Sequence, residues 1–207
     1  RRHTRCSRDS SSDVCSSDLR FAVIGAGRIG LVHSGSVNDT KGAELIYVVD
    51  PIKEAAEKIA AEFECKTASD PLEVINSGEI DAVIIGSPTP THVPLLSAAI
   101  DAGVHALCEK PIDLDIKNVD ALREKANNSK SHVAIAFNRP LDPHFDSVRQ
   151  KVKAGEIGEL EQLIITSRDP GPAPQSYIAV SGGIFRDMTI HDFDMARQFV
   201  KDIVEVF

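Results

Sequence analysis

From Leu19 onward the chain alternates short apolar runs with longer stretches of helix-forming composition. Leu19–Ile24 (LRFAVI) is an apolar run stopped by glycine, the pattern of a buried parallel strand. Leu31–Val37 reads as the opening of a helix, and Glu44–Val49 (ELIYVV) as a second strand ending in Asp50. Pro51 stands where a helix can begin, and Glu54–Phe63 is rich in Ala, Glu and Lys. Asp81–Ile85 (DAVII) predicts another buried strand, followed by a proline-rich turn and a helix over His92–Asp101. Val104–Leu107 adds a strand, Asp113 is the expected cap of a helix running to Asn127, and Val133–Phe137 is a further strand. This alternation predicts an α/β fold, a doubly wound parallel sheet of the Rossmann type over residues 19–138.

Beyond Phe137 the rhythm changes. Phe145–Ala154 predicts a helix closed by Gly155, Leu160–Ser167 (LEQLIITS) a longer strand, and Met188–Val200 a final helix. Between the last two lies a loop with Pro170, Gly171, Pro172 and Pro174, and the final VEVF looks like a new strand. One or two strands do not close a sheet. Residues 139–207 are therefore expected to be the start of an incomplete α+β C-terminal domain, and the chain to be truncated. At the other end, residues 1–18 hold six serines and only three apolar residues, with neither helical nor strand periodicity. They read as a disordered or non-native tail, without the apolar core of a signal peptide.

Composition narrows the function classes. Thirty-one acidic against 23 basic residues give a net charge of −8, which argues against a binder of nucleic-acid phosphates. No apolar run approaches the roughly 20 residues needed to cross a bilayer. The four cysteines (Cys6, Cys15, Cys65, Cys108) have neither zinc-type nor C-x-x-C spacing, and are expected to be reduced thiols of a cytoplasmic protein.

The sharpest local signal is Gly25-Ala26-Gly27-Arg28-Ile29-Gly30, set directly after a predicted strand and before a helix. In that context the first glycine permits a tight turn, the second lets backbone approach a pyrophosphate, and the third lets helix and strand pack closely. The helix N-terminus then offers free N–H groups to the phosphates. Asp50, twenty residues beyond Gly30, can accept hydrogen bonds from both ribose hydroxyls and would repel a 2′-phosphate, favouring NAD over NADP. Its plainer reading is a helix N-cap.

Lys110, in Cys108-Glu109-Lys110-Pro111, follows a strand and so stands where ligands bind in open α/β sheets. It can polarise a substrate oxygen there, or simply be a solvated lysine. Asp187 and His191, four apart near the start of the last helix, can share one face, with the carboxylate orienting an imidazole that acts as general base. Asp192 and Asp194 crowd the same turn, so a metal site and plain acidic residues at a helix N-terminus are competing readings. His92, in the Ser87-Pro88-Thr89-Pro90-Thr91-His92 turn, either lines the cleft or packs beneath it.

Taken together, Gly25–Gly30, the Ser87–His92 turn, Glu109-Lys110-Pro111 and Phe137-Asn138-Arg139 resemble the Gfo/Idh/MocA oxidoreductases in residue and order. The segment 181–197 (SGGIFRDMTIHDFDMAR) is similar to the inositol-oxidising branch of that family. The resemblance implies NAD-dependent oxidation of a cyclitol hydroxyl, myo-inositol giving 2-keto-myo-inositol. By the same resemblance, Lys110, Asp187 and His191 are the catalytic set, with Asp187 orienting His191. Arg139 and Asp194 join these three around the substrate. Gly25, Gly27, Arg28, Ile29, Gly30, Asp50, Ser87, Pro88, Thr89, His92, Glu109 and Lys110 would line the cofactor, and no metal is implied. Family members carry a second α/β domain that covers the site and builds a homotetramer. The chain departs from the family where Pro140 and Leu141 follow Arg139, in place of a second Arg and an aromatic residue. Rival readings are a relative acting on another polyol, sugar or inosose, a non-catalytic NAD-binding module, and a metal-dependent hydrolase.

Overall fold

The computed structural model of the chain describes residues 18–200 and 202–207. The reading of residues 1–18 as a tail lies, but for Asp18, outside them. Strands β1 (Leu19–Ile24), β2 (Ala43–Val49), β3 (Lys66–Ala68), β4 (Ala82–Ile85), β5 (His105–Cys108) and β6 (Val133–Ile135) form one sheet in the order β3-β2-β1-β4-β5-β6, every pairing parallel. Helices α1 (Arg28–Asp39), α2 (Lys53–Phe63), α3 (Pro71–Ile75), α4 (His92–Asp101) and α5 (Ile116–Asn127) connect them.

Burial explains the strand sequences. Val49, Val83, Ile85 and Cys108 are fully enclosed, with Leu96 and Ala99 of α4 packed onto the same core, and Val23 and Val48 are equally buried in two separate clusters. Each fully buried Val, Leu or Ile contributes about 1.5–3 kcal/mol. Burial also pushes the Cys108 thiol up to about 12, with the nearby Glu109 charge adding to it, so this sulfur is an inert core group.

Register positions the site. Ile24 pairs with Val49 on one side and Ile85 on the other, Ile85 with Cys108, and Cys108 with Ile135. The next residues, Gly25, Asp50, Gly86 and Glu109, therefore line up along the carboxyl edge. β1 and β4 are neighbours at the point where strand order reverses, and a crevice opens there in folds of this topology.

The structure corrects several expectations. β3 and α3 were not foreseen, because a three-residue edge strand has no readable period. Asp70 and Pro71 did carry the signal for α3: the Asp70 carboxylate accepts from Leu72 N at 2.8 Å, and Pro71 occupies the first turn. The cap of α5 is Asp115, which accepts from Lys117 N at 2.9 Å, whereas Asp113 accepts from Asp115 N one step earlier.

Beyond the sheet come α6 (Pro143–Lys153), α7 (Gln175–Ile178), α8 (Ile184–Asp187) and α9 (Ile190–Phe199). Leu160–Ser167 and the final VEVF form no strand. A strand needs a neighbour for its N–H and C=O groups, and among the described residues none lies beside either segment. The last helix, expected over Met188–Val200, starts only at Ile190, with Met188 and Thr189 separating α9 from α8, so Asp187 and His191 do not share one helical face.

Candidate active site

The glycine loop fits a dinucleotide by what side chains would do there. Gly25 has φ +100°, and a Cβ on it would stand 2.7 Å from Ser87 N. At Gly30 a Cβ would stand 1.8 Å from Gly25 O, so this helix and loop touch only because the residue is glycine. Gly27 differs: its φ is −80° and a Cβ would meet no protein atom within 4 Å. The fold itself does not require glycine at 27, whereas a ligand approaching the backbone would. Gly27 is also the N-cap of α1 and offers no side-chain cap, which leaves first-turn N–H groups for an anion, with Arg28 exposed and Ile29 half-buried beside them.

Asp50 holds this loop. Its Oδ2 accepts from Ala26 N at 2.7 Å and its Oδ1 from Ile52 N at 2.8 Å. The N-cap of α2 is Ile52, so Asp50 is not the cap that the plainer reading supposed. Each oxygen keeps a lone pair for a ribose hydroxyl. Asp50→Ala is expected to lower NAD affinity by about tenfold or more, since hydrogen bonds to charged groups contribute about 1.5–3 kcal/mol. Titration of NAD into the variant checks this, and unchanged affinity removes the ribose role.

Across the crevice, Ser87 and Thr91 share a hydroxyl–hydroxyl hydrogen bond of 2.6 Å, Pro88 is exposed and Thr89 half-buried. His92 lies beneath this turn rather than in the cleft: it is 2% exposed, and both ring nitrogens are engaged by backbone oxygens. Glu109 turns toward α1, its Oε1 2.8 Å from His33 Nε2, while its Oε2 accepts from Lys110 N at 3.3 Å. Burial works to raise the Glu109 carboxyl, yet the His33 contact and the nearby cations leave it below its ordinary value.

Lys110 reaches from the sheet edge to the C-terminal segment. Its Nζ donates to Asp187 O at 2.7 Å and to Asp187 Oδ1 at 3.1 Å. Tyr177 donates its phenol to the same Oδ1 at 2.7 Å. Burial opposes ionisation of Asp187, but Tyr177 and Lys110 more than offset it and hold the carboxyl below its ordinary value. The Tyr177 phenol is pushed up to about 12 by burial and by Asp187, so it stays a donor. Tyr177 escaped the sequence reading because nothing local ties it to Asp187, ten residues on.

The expected Asp187–His191 contact is absent. Among the described residues His191 Nδ1 is enclosed and has no hydrogen-bond partner, while Asp187 is occupied by Lys110 and Tyr177. The His191 ring stands edge-on to Phe137, centroids 6.0 Å apart. Burial lowers its pKa, and the Lys110 and Arg139 charges lower it further, favouring the neutral imidazole. Arg139 pairs with Asp192, which also accepts from Ser167 Oγ at 2.5 Å. Asp194 Oδ2 is likewise enclosed and without a partner among the described residues. Two unpaired polar atoms in one helix turn are what a ligand with several hydroxyl groups would satisfy. Among the described residues no group of three or more His, Cys, Asp or Glu side chains is placed to hold a metal ion.

Comparison with known proteins matches two family models to the chain. A family model for the GFO/IDH/MocA oxidoreductases, described as an NAD-binding Rossmann fold, matches residues 19–137, and one for the family's C-terminal domain matches 145–207. An inositol 2-dehydrogenase of Rhizobium meliloti is 48% identical over 180 residues, covering 86% of this chain and 54% of that protein. The scyllo-inositol 2-dehydrogenase (NAD(+)) of Bacillus subtilis is 39% identical, covering 86% and 53%. A crystal structure of a myo-inositol dehydrogenase from Corynebacterium glutamicum matches with a TM-score of 0.85 and 50% identity, covering 91% of this chain and 59% of that one. The chain thus spans about half the length of the curated relatives it matches. With a glycine loop open at Gly27 on a sheet of this order, and both family models matching in tandem, the chain belongs to the Gfo/Idh/MocA family of NAD-binding oxidoreductases.

Proposed function

We propose that this chain is the cofactor domain (19–138) and the opening of the substrate domain (139–207) of a homotetrameric NAD-dependent inositol dehydrogenase. Its reaction is the oxidation of myo-inositol to 2-keto-myo-inositol. The observation that carries the reading is the contact of Lys110 Nζ with Asp187, with the Lys110 charge felt by His191, whose Nδ1 has no hydrogen-bond partner among the described residues.

Lys110 has three N–H donors and spends two on Asp187, so the third is available to the reacting hydroxyl oxygen. His191, favoured as the neutral base, takes the hydroxyl proton as the carbonyl forms. NAD, when bound, supplies the nicotinamide ring that accepts the hydride from the same carbon. The Lys110 charge stabilises the oxygen as negative charge develops on it. Asp187, held by Tyr177, fixes the ammonium in place. Asp194 and the Arg139–Asp192 pair stand where they can bind further hydroxyls.

The test extends the protein to the length of its relatives and follows NADH absorbance with myo-inositol, scyllo-inositol and a small polyol panel. Selective oxidation of myo-inositol is expected. Selectivity for scyllo-inositol, after which the Bacillus subtilis relative is named, rejects myo-inositol as the substrate. Failure with every polyol despite NAD binding rejects the dehydrogenase reading.

A pH profile tests the base. Because burial and two nearby cations lower the His191 pKa, the acid limb of kcat/KM is expected below the ordinary histidine value of about 6.5. Arg139→Gln removes one of those cations and frees the Asp192 charge, both of which favour protonated His191. The limb must therefore move to higher pH, and a limb that stays put excludes His191 as the titrating base.

A further inference from the structure

His92 is the first residue of α4, and its two ring nitrogens each meet a peptide oxygen. Nδ1 lies 2.8 Å from Pro111 O and Nε2 2.8 Å from Ser87 O. A peptide oxygen can only accept. A neutral imidazole has one N–H and one lone pair, so in that form one contact would set two lone pairs against each other. Both contacts are hydrogen bonds only when each nitrogen carries a proton.

The two oxygens belong to the loops that leave β4 and β5, strands paired from Ala82/His105 to Ile85/Cys108. Ser87 opens the turn that abuts Gly25, and Pro111 directly follows Lys110. The ring therefore bridges the cofactor edge and the backbone that carries the lysine.

We propose that His92 is a doubly protonated positioning residue that ties the Ser87 turn to the Lys110–Pro111 turn and so sets the position from which Lys110 reaches Asp187. Its place at the start of α4 puts the ring at the positive end of the helix dipole, which opposes a cation. Two charge-assisted hydrogen bonds act the other way, and they are stronger than neutral ones. Burial of the His92 ring keeps water from standing in for either contact at its nitrogens. Glutamine and asparagine cannot replace the ring. Their donors sit on one nitrogen, and the other arm is an oxygen that repels a carbonyl.

The kinetic consequence rests on the dehydrogenase reading, whereas the proton count does not. Neutron diffraction from deuterated crystals of the extended protein at neutral pH is expected to show a deuteron on both Nδ1 and Nε2. A single deuteron overturns the proposal. In kinetics, His92→Gln is expected to lower kcat by about tenfold or more, as displaced catalytic groups do, with a smaller change in NAD affinity. Since the effect runs through Lys110, adding His92→Gln to Lys110→Met should lower kcat no further. Full additivity, or a His92→Gln enzyme with unchanged kcat, overturns the positioning role. If no polyol is oxidised, the dehydrogenase reading fails by itself, and the deuteron count alone decides for or against His92.

Discussion

Lys110→Met in the extended protein is expected to lower kcat by about 10²–10³-fold, the loss measured when one donor to a developing oxyanion is removed. Methionine keeps the unbranched stem but removes the charge and all three N–H groups. Two consequences follow from the contacts seen here. The substrate oxygen loses its donor, and Asp187 keeps only Tyr177 on Oδ1. NAD affinity should change little, because the glycine loop and Asp50 lie on the β1–β2 side of the crevice and do not contact the Nζ. Lys110→Arg should rescue poorly, since a planar guanidinium is not a point donor at the end of a flexible stem. Steady-state kinetics with an NAD titration checks all three statements. A kcat within about twofold of the parent would remove Lys110 from the reaction altogether.

The second large effect is on stability and separates two glycines of one loop. Gly30→Ala is expected to destabilise the protein by about 3 kcal/mol or more, at the upper end of overpacking costs. The added Cβ would stand 1.8 Å from Gly25 O and 3.8 Å from a Val23 methyl, so helix α1 must move off β1. Gly27→Ala should cost no more than about 1 kcal/mol, the scale of N-cap differences, because its φ of −80° suits alanine and the Cβ meets nothing. The same methyl would occupy the face that a pyrophosphate approaches, so NAD affinity should drop while the fold survives. Chemical denaturation of both variants beside NAD titration of Gly27→Ala decides the matter. Equal destabilisation by the two substitutions would contradict the division of labour, as would full NAD affinity in Gly27→Ala.

Much of the sheet was legible in the residues. The stretch Leu19–Ile24 announced β1 to the residue, and Asp50 and Lys110 were placed correctly at strand ends. Where the reading missed, the missing information was local but weak, or not local at all. Asp115, rather than Asp113, caps α5 because two aspartates two residues apart satisfy the same pattern and backbone geometry selects one. The Leu160–Ser167 segment has strand composition, yet its backbone finds no partner strand among the described residues. Tyr177 gave no signal, because a phenol acquires its role only from the carboxylate it meets.

Local residue pattern was enough to set the alternation of buried runs and helices, the glycine loop and the carboxyl edge on which the candidate residues stand. Those properties depend on side-chain period, on Gly and Pro backbone limits and on strand length, all set within a few residues. Which groups pair is a property of the folded chain. It gave Asp187 to Lys110 and Tyr177 instead of His191, joined Arg139 to Asp192, and drew His92 under the turn between two carbonyls. Partners separated by 5 to 77 residues are chosen by how loops meet over the sheet, where each buried polar atom must find a complement or remain open for a ligand.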